Sequence, residues 1–178
     1  IYYGNGNHEQ RVKEDIEKFG EAYERYRESL RDRGVHVLEN DTTQVTIRGR
    51  KIYISGLEIP AHYYVKGQYG RVQKGEITDL LGEKPEGYHI LLAHNPVHSD
   101  AYVQWGADLV LSGHLHGGII RLPWIGGIIT PQVQLFPKYS GGMYKKDYAT
   151  IVVSKGLGEH TVKIRFLNKP ELVVLEIQ

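Results

Sequence analysis

The segment from Tyr88 to Ser112 constrains the fold of this chain more than any other. Tyr88–Ala93 is a continuous apolar run, about Val97–Trp105 has the character of a short helix, and Leu109–Ser112 is a second apolar run. Two strands joined by a helix at this spacing form a βαβ unit, whose strands are parallel and covered on both faces. The sequence therefore predicts an α/β fold.

A histidine follows each of these two strands. His94 comes directly after the first, and His114 comes two residues after the second. The carboxyl ends of parallel strands line the ligand crevice of such sheets, and neutral imidazole is the commonest protein ligand for metal ions. In an extended segment, His116 would point to the same side as His114. The pattern predicts a metal site at this edge; two unrelated, solvated histidines in a glycine-rich loop are the alternative.

The remaining pattern predicts further helices and strands around this unit. Apolar residues spaced by three and four predict a helix between Gln10 and Arg33. The glycines and prolines of residues 117–148 predict a long ordered loop. Other predicted elements are strands at Val35–Leu38, Gln44–Ile47 and Lys51–Ser55, a short helix at Glu76–Leu81, a closing hairpin of Ala149–Ser154 with Thr161–Phe166, and a final strand at Leu172–Ile177.

Length and composition exclude several classes of protein. With 178 residues and 40% hydrophobic residues, the chain fits one globular domain. A net charge of +1 gives no indication of nucleic-acid binding, and no segment has the roughly 20 apolar residues that span a bilayer. The absence of cysteine excludes disulfides and thiolate ligands, so any metal would be held by histidine, asparagine or carboxylates.

A second polar cluster, Gly6-Asn7-His8-Glu9, lies near the start of the chain, just before the predicted helix. Asparagine at such a position commonly caps a helix or forms a turn. A strand-to-helix loop is also where functional sites are usually built, so both interpretations hold together. We expect Glu9 to cap the helix or to support its neighbours rather than to bind metal.

These clusters resemble the later signature blocks of the calcineurin-like metallophosphoesterases. The blocks are Gly6-Asn-His-Glu9, His94 after an apolar strand, and Gly113-His-Leu-His116, and their order and separation agree with that superfamily. The ending of the chain, with Val152–Gly158 and Pro170–Leu175, is similar to a bacterial branch of small, often membrane-associated phosphodiesterases. The resemblance implies that the chain forms part of a four-layer αββα sandwich with mixed sheets.

The resemblance also implies a role for each candidate residue. Asn7, His94 and His114 are similar to ligands of one divalent ion, and His116 to a ligand of a second. His8 matches the histidine that stabilises the transition state or protonates the leaving group. The implied cofactors are two divalent ions, with Mn, Fe, Zn and Ni all possible. The implied reaction is hydrolysis of a phosphodiester or phosphomonoester, with a small-molecule or lipid-like substrate whose binding residues stay unassigned.

The chain departs from the family pattern in one respect. The family's Asp-x-His and Gly-Asp blocks stand before the GNH block, and neither occurs in this sequence. We therefore expect residues 1–178 to be a single domain without its amino-terminal portion, catalytic in the longer parent protein and weak in metal binding alone. The alternative is a noncatalytic binding or assembly module with a degenerate site. The family branch further implies a membrane-associated or envelope location, with the cytoplasm as the alternative.

Overall fold

A computed structural model describes residues 1–65, 70–122, 124–129, 135–158 and 165–177 of the chain. The helices are α1 (Asn7–Glu14), α2 (Ile16–Phe19), α3 (Ala22–Arg31), α4 (Lys74–Leu81) and α5 (Ser99–Trp105), with 3-10 turns at Ala61–Tyr64 and Pro96–His98. The strands are β1 (Tyr2–Gly4), β2 (His36–Leu38), β3 (Asp41–Ile47), β4 (Arg50–Leu57), β5 (Tyr88–Ala93), β6 (Leu109–Ser112), β7 (Ile120–Leu122), β8 (Gly126–Ile129), β9 (Gly142–Lys146) and β10 (Ala149–Val153).

A six-stranded mixed sheet forms the centre of the structure, in the order β3-β4-β5-β6-β10-β9. The four inner strands are parallel, and the outer strands β3 and β9 are antiparallel to their neighbours. Strands β5 and β6 pair in parallel, with Ile90 opposite Leu109, and α5 connects them. The predicted α/β class and its βαβ unit are confirmed, with both strand boundaries as expected.

The two faces of this sheet are covered by different layers. Leu91 of β5 is fully buried in the main core, beneath Ile77 of α4 and Tyr102 of α5. On the other face, a Cβ at Gly4 of β1 would lie 3.0 Å from Leu92. The parallel pair β1–β2 thus packs against the sheet, and α1 and α3 lie outside it. This order of helices, sheet, second sheet and helices agrees with an αββα sandwich.

Gly56 allows the close approach of the two sheets. A Cβ at this position would lie 2.4 Å from the backbone oxygen of Leu38, where no real side chain fits. Strand β4 can therefore cross β2 only because the sequence has glycine here.

Four of the predicted elements differ from the structure. The helix expected over 10–33 is three helices, because the chain turns at Asp15 and at Gly20, whose φ is 54°. Strands β7, β8 and β9 lie within residues 117–148, where glycine and proline hid their pattern. Strand β10 pairs with β9; residues 161–164 of its expected partner lie outside the described part of the chain. The final strand predicted over 172–177 is wrong, because the structure has no strand in that segment.

None of the helices in the described ranges combines the length and the apolar character that crossing a membrane requires.

His89 on β5 is fully buried and belongs to a polar chain inside the fold. Its Nε2 lies 2.7 Å from Ser55 Oγ, which lies 2.6 Å from Thr42 Oγ1. Its Nδ1 is buried and has no hydrogen-bond partner among the described residues. Burial, helped by the charge of Lys84, lowers the pKa of His89 to about 4. Protonation would leave an N–H at Nδ1 unsatisfied, so the folded state requires the neutral ring.

We expect this histidine to make the fold sensitive to acid. Because the pKa is about 6.5 in the unfolded chain and about 4 in the folded one, the unfolded state binds the proton first. The contribution of neutral His89 to the free energy of unfolding is fully present above pH 6.5. It falls by on the order of 3 kcal/mol as the pH drops to 4. Urea unfolding across this range should show a shallower pH slope for His89→Gln than for the exposed-site control His36→Gln. Equal slopes would contradict the assignment.

Candidate metal centre

The turn between β1 and α1 places Asn7 at the first position of a helix. Gly6 precedes the helix, and its backbone N–H donates to Glu9 Oε2 at 3.0 Å. Glu9 therefore caps the helix, as expected. A Cβ at Gly6 would lie 3.0 Å from the ring of His94, so glycine leaves the space that this ring occupies.

His94 and His114 lie together at the carboxyl edge of the six-stranded sheet. His94 Nε2 is 3.0 Å from Asn7 Oδ1, and the centroids of the two imidazole rings are 4.9 Å apart. The backbone N–H of Gly113 donates to the carbonyl of His94 at 3.0 Å, which joins the two strand ends. His114 is buried. Asn7 lies 87 residues before His94 in the chain, and His94 and His114 follow the neighbouring strands β5 and β6. The fold thus brings together three side chains that are distant in sequence.

The electrostatics of the cluster keep His94 neutral. Burial lowers the pKa of His94 to about 4, and the nearby charges of His116 and His8 lower it further, against the opposing charge of Glu9. Neutral imidazole is the form that binds metal ions. His8 is exposed on the first turn of α1.

The loop that carries His114 and His116 is not extended. His114 and His116 both have positive φ, at 63° and 49°. The expectation that two-residue alternation points them to one side is therefore wrong, because a left-handed backbone does not alternate like a strand. Their proximity comes instead from the tight turn, in which the N–H of Gly118 donates to the carbonyl of Leu115 at 2.8 Å.

Two residues that sequence reasoning missed hold this loop. Asn168 donates from Nδ2 to the carbonyls of His116 and Gly118, at 2.6 Å each. Arg165 Nη2 lies 3.3 Å from His116 Nδ1 and also donates to the carbonyl of Lys155. Both contacts on His116 join residues about fifty positions apart, 49 and 52, so no local sequence pattern reveals them.

A pocket opens beside these side chains. Tyr64 is its aromatic wall, with a ring centroid 5.3 Å from that of His114 and 6.3 Å from that of His94. The pocket measures about 540 Å³, and its described lining is Asn7, Gln10, Arg11, Glu14, Asp15, Ala61, Tyr64 and Val65.

His98, the other histidine near this edge, has a structural role. It is buried, its Nδ1 accepts from the backbone N–H of Val72 at 3.3 Å, and its Nε2 lies 3.4 Å from Asn95 Nδ2. Tyr63 packs on it edge to face. Both ring nitrogens are therefore engaged within the protein.

The donor atoms fit part of a metal site. Two ligands at right angles, each about 2.1 Å from one ion, are about 3 Å apart, and the Asn7 oxygen and the His94 nitrogen have this separation. Imidazole and amide oxygen suit first-row divalent metals. Across the described ranges, however, no group of three His, Cys, Asp or Glu side chains is placed to hold an ion. The cluster supplies some of the ligands that such an ion requires.

Several known proteins that are similar to this chain are named as metallophosphoesterases, phosphodiesterases or pyrophosphatases. No protein-family model and no solved structure matches the chain. The chain is 41% identical over 91 residues to the uncharacterized metallophosphoesterase YkuE of Bacillus subtilis, covering 51% of this chain and 31% of that protein. It is 25% identical over 150 residues to phosphodiesterase YaeI of Escherichia coli, covering 84% and 50%. It is 32% identical over 92 residues to the UDP-2,3-diacylglucosamine pyrophosphatase LpxG of Chlamydia muridarum, covering 48% and 28%. The chain thus spans between about a quarter and a half of the length of these relatives.

Proposed function

This chain belongs to the calcineurin-like metallophosphoesterase superfamily, and from that premise we propose that its full-length gene product hydrolyses phosphoester bonds at a dinuclear metal site. The observation that supports this proposal best is the convergence of Asn7, His94 and His114 at the carboxyl edge of the sheet. The half-buried, neutral ring of His94 is in the state that metal binding requires.

Each candidate residue has a task in this proposal. Asn7, His94 and His114 would hold one divalent ion, and His116 would hold the second. Bound ions of this kind supply Lewis-acid stabilisation of phosphoryl charge and a nucleophile generated from water at neutral pH. His8, which is exposed and follows Asn7 in the chain, would deliver a proton to the leaving oxygen as the phosphoester bond breaks.

The remaining ligands are proposed to come from outside residues 1–178. The chain has no Asp-x-His and no Gly-Asp sequence, and His116 is the only residue we assign to the second ion. One protein chain that contains both halves would complete the site. The metal is proposed to be Mn, Fe, Zn or Ni, since histidine, asparagine and carboxylate ligands accept all four.

The proposed substrate is a phosphodiester or phosphomonoester of a small or lipid-like molecule. Two of the relatives are named for phosphodiester or pyrophosphate cleavage, one of them on a diacylated sugar nucleotide. The pocket beside Asn7 is large enough for a group attached to the phosphate, and Arg11 lines it. A guanidinium suits a substrate phosphate or another anionic group.

The alternative is a noncatalytic binding module with a degenerate site. It is favoured by the absence of a complete ligand group within the part of the chain that the structure describes.

Hydrolysis of bis(p-nitrophenyl) phosphate by the full-length gene product separates the two functions. We expect turnover with Mn²⁺, loss of turnover after EDTA treatment, and recovery when Mn²⁺ is added back. Parallel assays with p-nitrophenyl phosphate tell a diester from a monoester preference. Absence of hydrolysis of both compounds with each of Mn²⁺, Fe²⁺, Zn²⁺ and Ni²⁺ would refute the proposal and favour the binding module.

A further inference from the structure

Helix α1 carries Asn7 at its first position, yet apolar burial contributes little to holding this helix in the fold. Among the described residues of α1, which are 7–14, only Gln10 is buried, and its side chain is an amide. A helix on the surface of a globular protein is usually held by an apolar stripe that faces the core. The position of α1, and with it the position of Asn7, therefore depends largely on polar contacts.

A largely buried group of polar side chains meets α1 at the carboxyl ends of three strands. One member follows β1, one follows β2 and one follows β4, while the other two belong to α1 and α3. We define the anchor cluster as Asn5, Lys13, Tyr23, Glu39 and Glu58. The two carboxylates of the cluster are little exposed, with 13% of the Glu39 side chain and 9% of the Glu58 side chain open to solvent.

Lys13 joins the two carboxylates of the anchor cluster. Its Nζ lies 2.7 Å from Glu39 Oε1 and 2.8 Å from Glu58 Oε2. Asn5 donates from Nδ2 to Glu58 Oε1 at 2.5 Å, so both oxygens of Glu58 accept a hydrogen bond. Two carboxylates that are largely removed from water are stable as ions only with partners of this kind.

Both oxygens of Glu39 are also engaged. Oε1 accepts from the Tyr23 hydroxyl at 2.7 Å, and Oε2 lies 3.4 Å from Arg27 Nη1. Burial opposes the ionisation of Glu39, but the hydrogen bonds from Lys13 and Tyr23 outweigh it and lower the pKa of this carboxyl. The Tyr23 hydroxyl in turn accepts from Asn5 Nδ2 at 2.5 Å, which closes the network.

The contacts are distributed along the whole of α1. The hydrogen bond of Asn5 lies two residues before Asn7, and the ion pairs of Lys13 lie in the last turn of the helix. Between them, Gln10 Nε2 donates to the backbone carbonyl of Ile59 at 2.9 Å. A helix of eight residues is about 12 Å long. Contacts at both ends and in the middle therefore fix its position and its rotation.

We propose that the anchor cluster positions Asn7 for metal binding, with Lys13 and Glu58 as positioning residues that act through α1. This inference rests on the proposed metal site, because it concerns how the Asn7 oxygen is kept 3.0 Å from His94 Nε2. A fully satisfied polar network holds one arrangement, whereas apolar packing alone lets a helix slide. Residues that orient metal ligands in this way commonly change metal affinity about 10- to 100-fold when they are replaced.

Binding of Mn²⁺ to the full-length gene product tests this positioning. The variant is Lys13→Met/Glu58→Gln, which removes one charge of each sign and leaves Glu39 paired with Arg27, so no buried charge loses all its partners. We expect the Mn²⁺ dissociation constant in titration calorimetry to rise about 10- to 100-fold. The thermal unfolding midpoint is measured alongside to show that the variant is folded.

Hydrogen exchange of the metal-free protein supplies a readout that needs no metal. The backbone N–H of Gln10 donates to the carbonyl of Gly6 at 3.0 Å and reports the opening of α1. We expect exchange in α1 to be about tenfold faster in the double variant and exchange in β5 to be unchanged. The control Lys146→Met removes the ammonium of another ion pair, 2.5 Å from Asp100, and should match the unchanged protein in both measurements.

Three outcomes would overturn the inference. The first is an Mn²⁺ dissociation constant that is the same in the unchanged protein and the folded double variant. The second is exchange that does not increase in α1, or that increases equally in β5, because the cluster would then have no specific hold on the helix. The third is an equal loss of affinity in Lys146→Met. A full-length protein that binds no Mn²⁺ would instead contradict the proposed metal site, and the exchange rates of α1 would still decide whether the cluster positions the helix.

Discussion

Replacing His94 with alanine is expected to lower the rate of phosphodiester hydrolysis by the full-length gene product at least about 10³-fold. The metal contribution to such a reaction is worth several kcal/mol of transition-state stabilisation, and each 1.36 kcal/mol is a factor of ten. His94 is well placed to control it, because its Nε2 meets the oxygen of Asn7 while its ring packs against His114. kcat/KM with bis(p-nitrophenyl) phosphate and saturating Mn²⁺ is the measurement.

Two further variants keep this result interpretable. His36→Ala removes an exposed histidine on β2 and should leave the rate unchanged. Because His94 is half-buried and packs against His114, the thermal unfolding midpoint of His94→Ala is measured alongside. His114→Asn supplies a second change in the same cluster that keeps a polar side chain. A rate within about threefold of the unchanged protein for both folded variants would show that the histidine cluster holds no catalytic metal.

His8→Ala is expected to lower kcat by about 10²- to 10⁴-fold for a substrate whose leaving group needs a proton. An alkyl diester such as glycerophosphocholine has this property. With bis(p-nitrophenyl) phosphate the loss should be much smaller, since p-nitrophenolate leaves without protonation. His8 is exposed on the first turn of α1, so the substitution leaves the core untouched.

The ratio of the two losses is decisive for the role of His8. A general acid makes the loss depend on the leaving group, whereas a residue that only positions the helix reduces both rates equally. Equal losses, or no loss with the alkyl diester, would remove His8 from the proton-transfer step. Glu9→Gln is a suitable companion, because it changes the helix cap next to His8 without removing the imidazole.

The centre of the fold was predictable from the sequence because its strands are buried on both faces. Strands β5 and β6 are short, largely apolar runs, and a histidine follows each of them within two residues. That pattern fixes both their boundaries and the direction of their pairing. The sequence alone therefore predicts that His94 and His114 lie close together.

Other parts depended on contacts that the sequence does not display. The turn at Gly20 divides a helical pattern whose apolar spacing continues across it. Strand β10 pairs with β9, an exposed strand whose sequence, Gly142–Lys146, has only weak strand character. Arg165 and Asn168 reach the histidine loop from a distant segment, and such tertiary contacts leave no periodic signal.

The most direct test of the account is the number of metal ions that depend on the histidine cluster. Elemental analysis of the full-length gene product after equilibration with Mn²⁺ or Zn²⁺, followed by removal of free ions, gives this number. The account predicts about two ions per chain, and at least one fewer in the folded double variant His94→Ala/His114→Ala. Equal metal content in the two proteins, or no bound metal in either, would contradict the proposal that Asn7, His94 and His114 form a metal site.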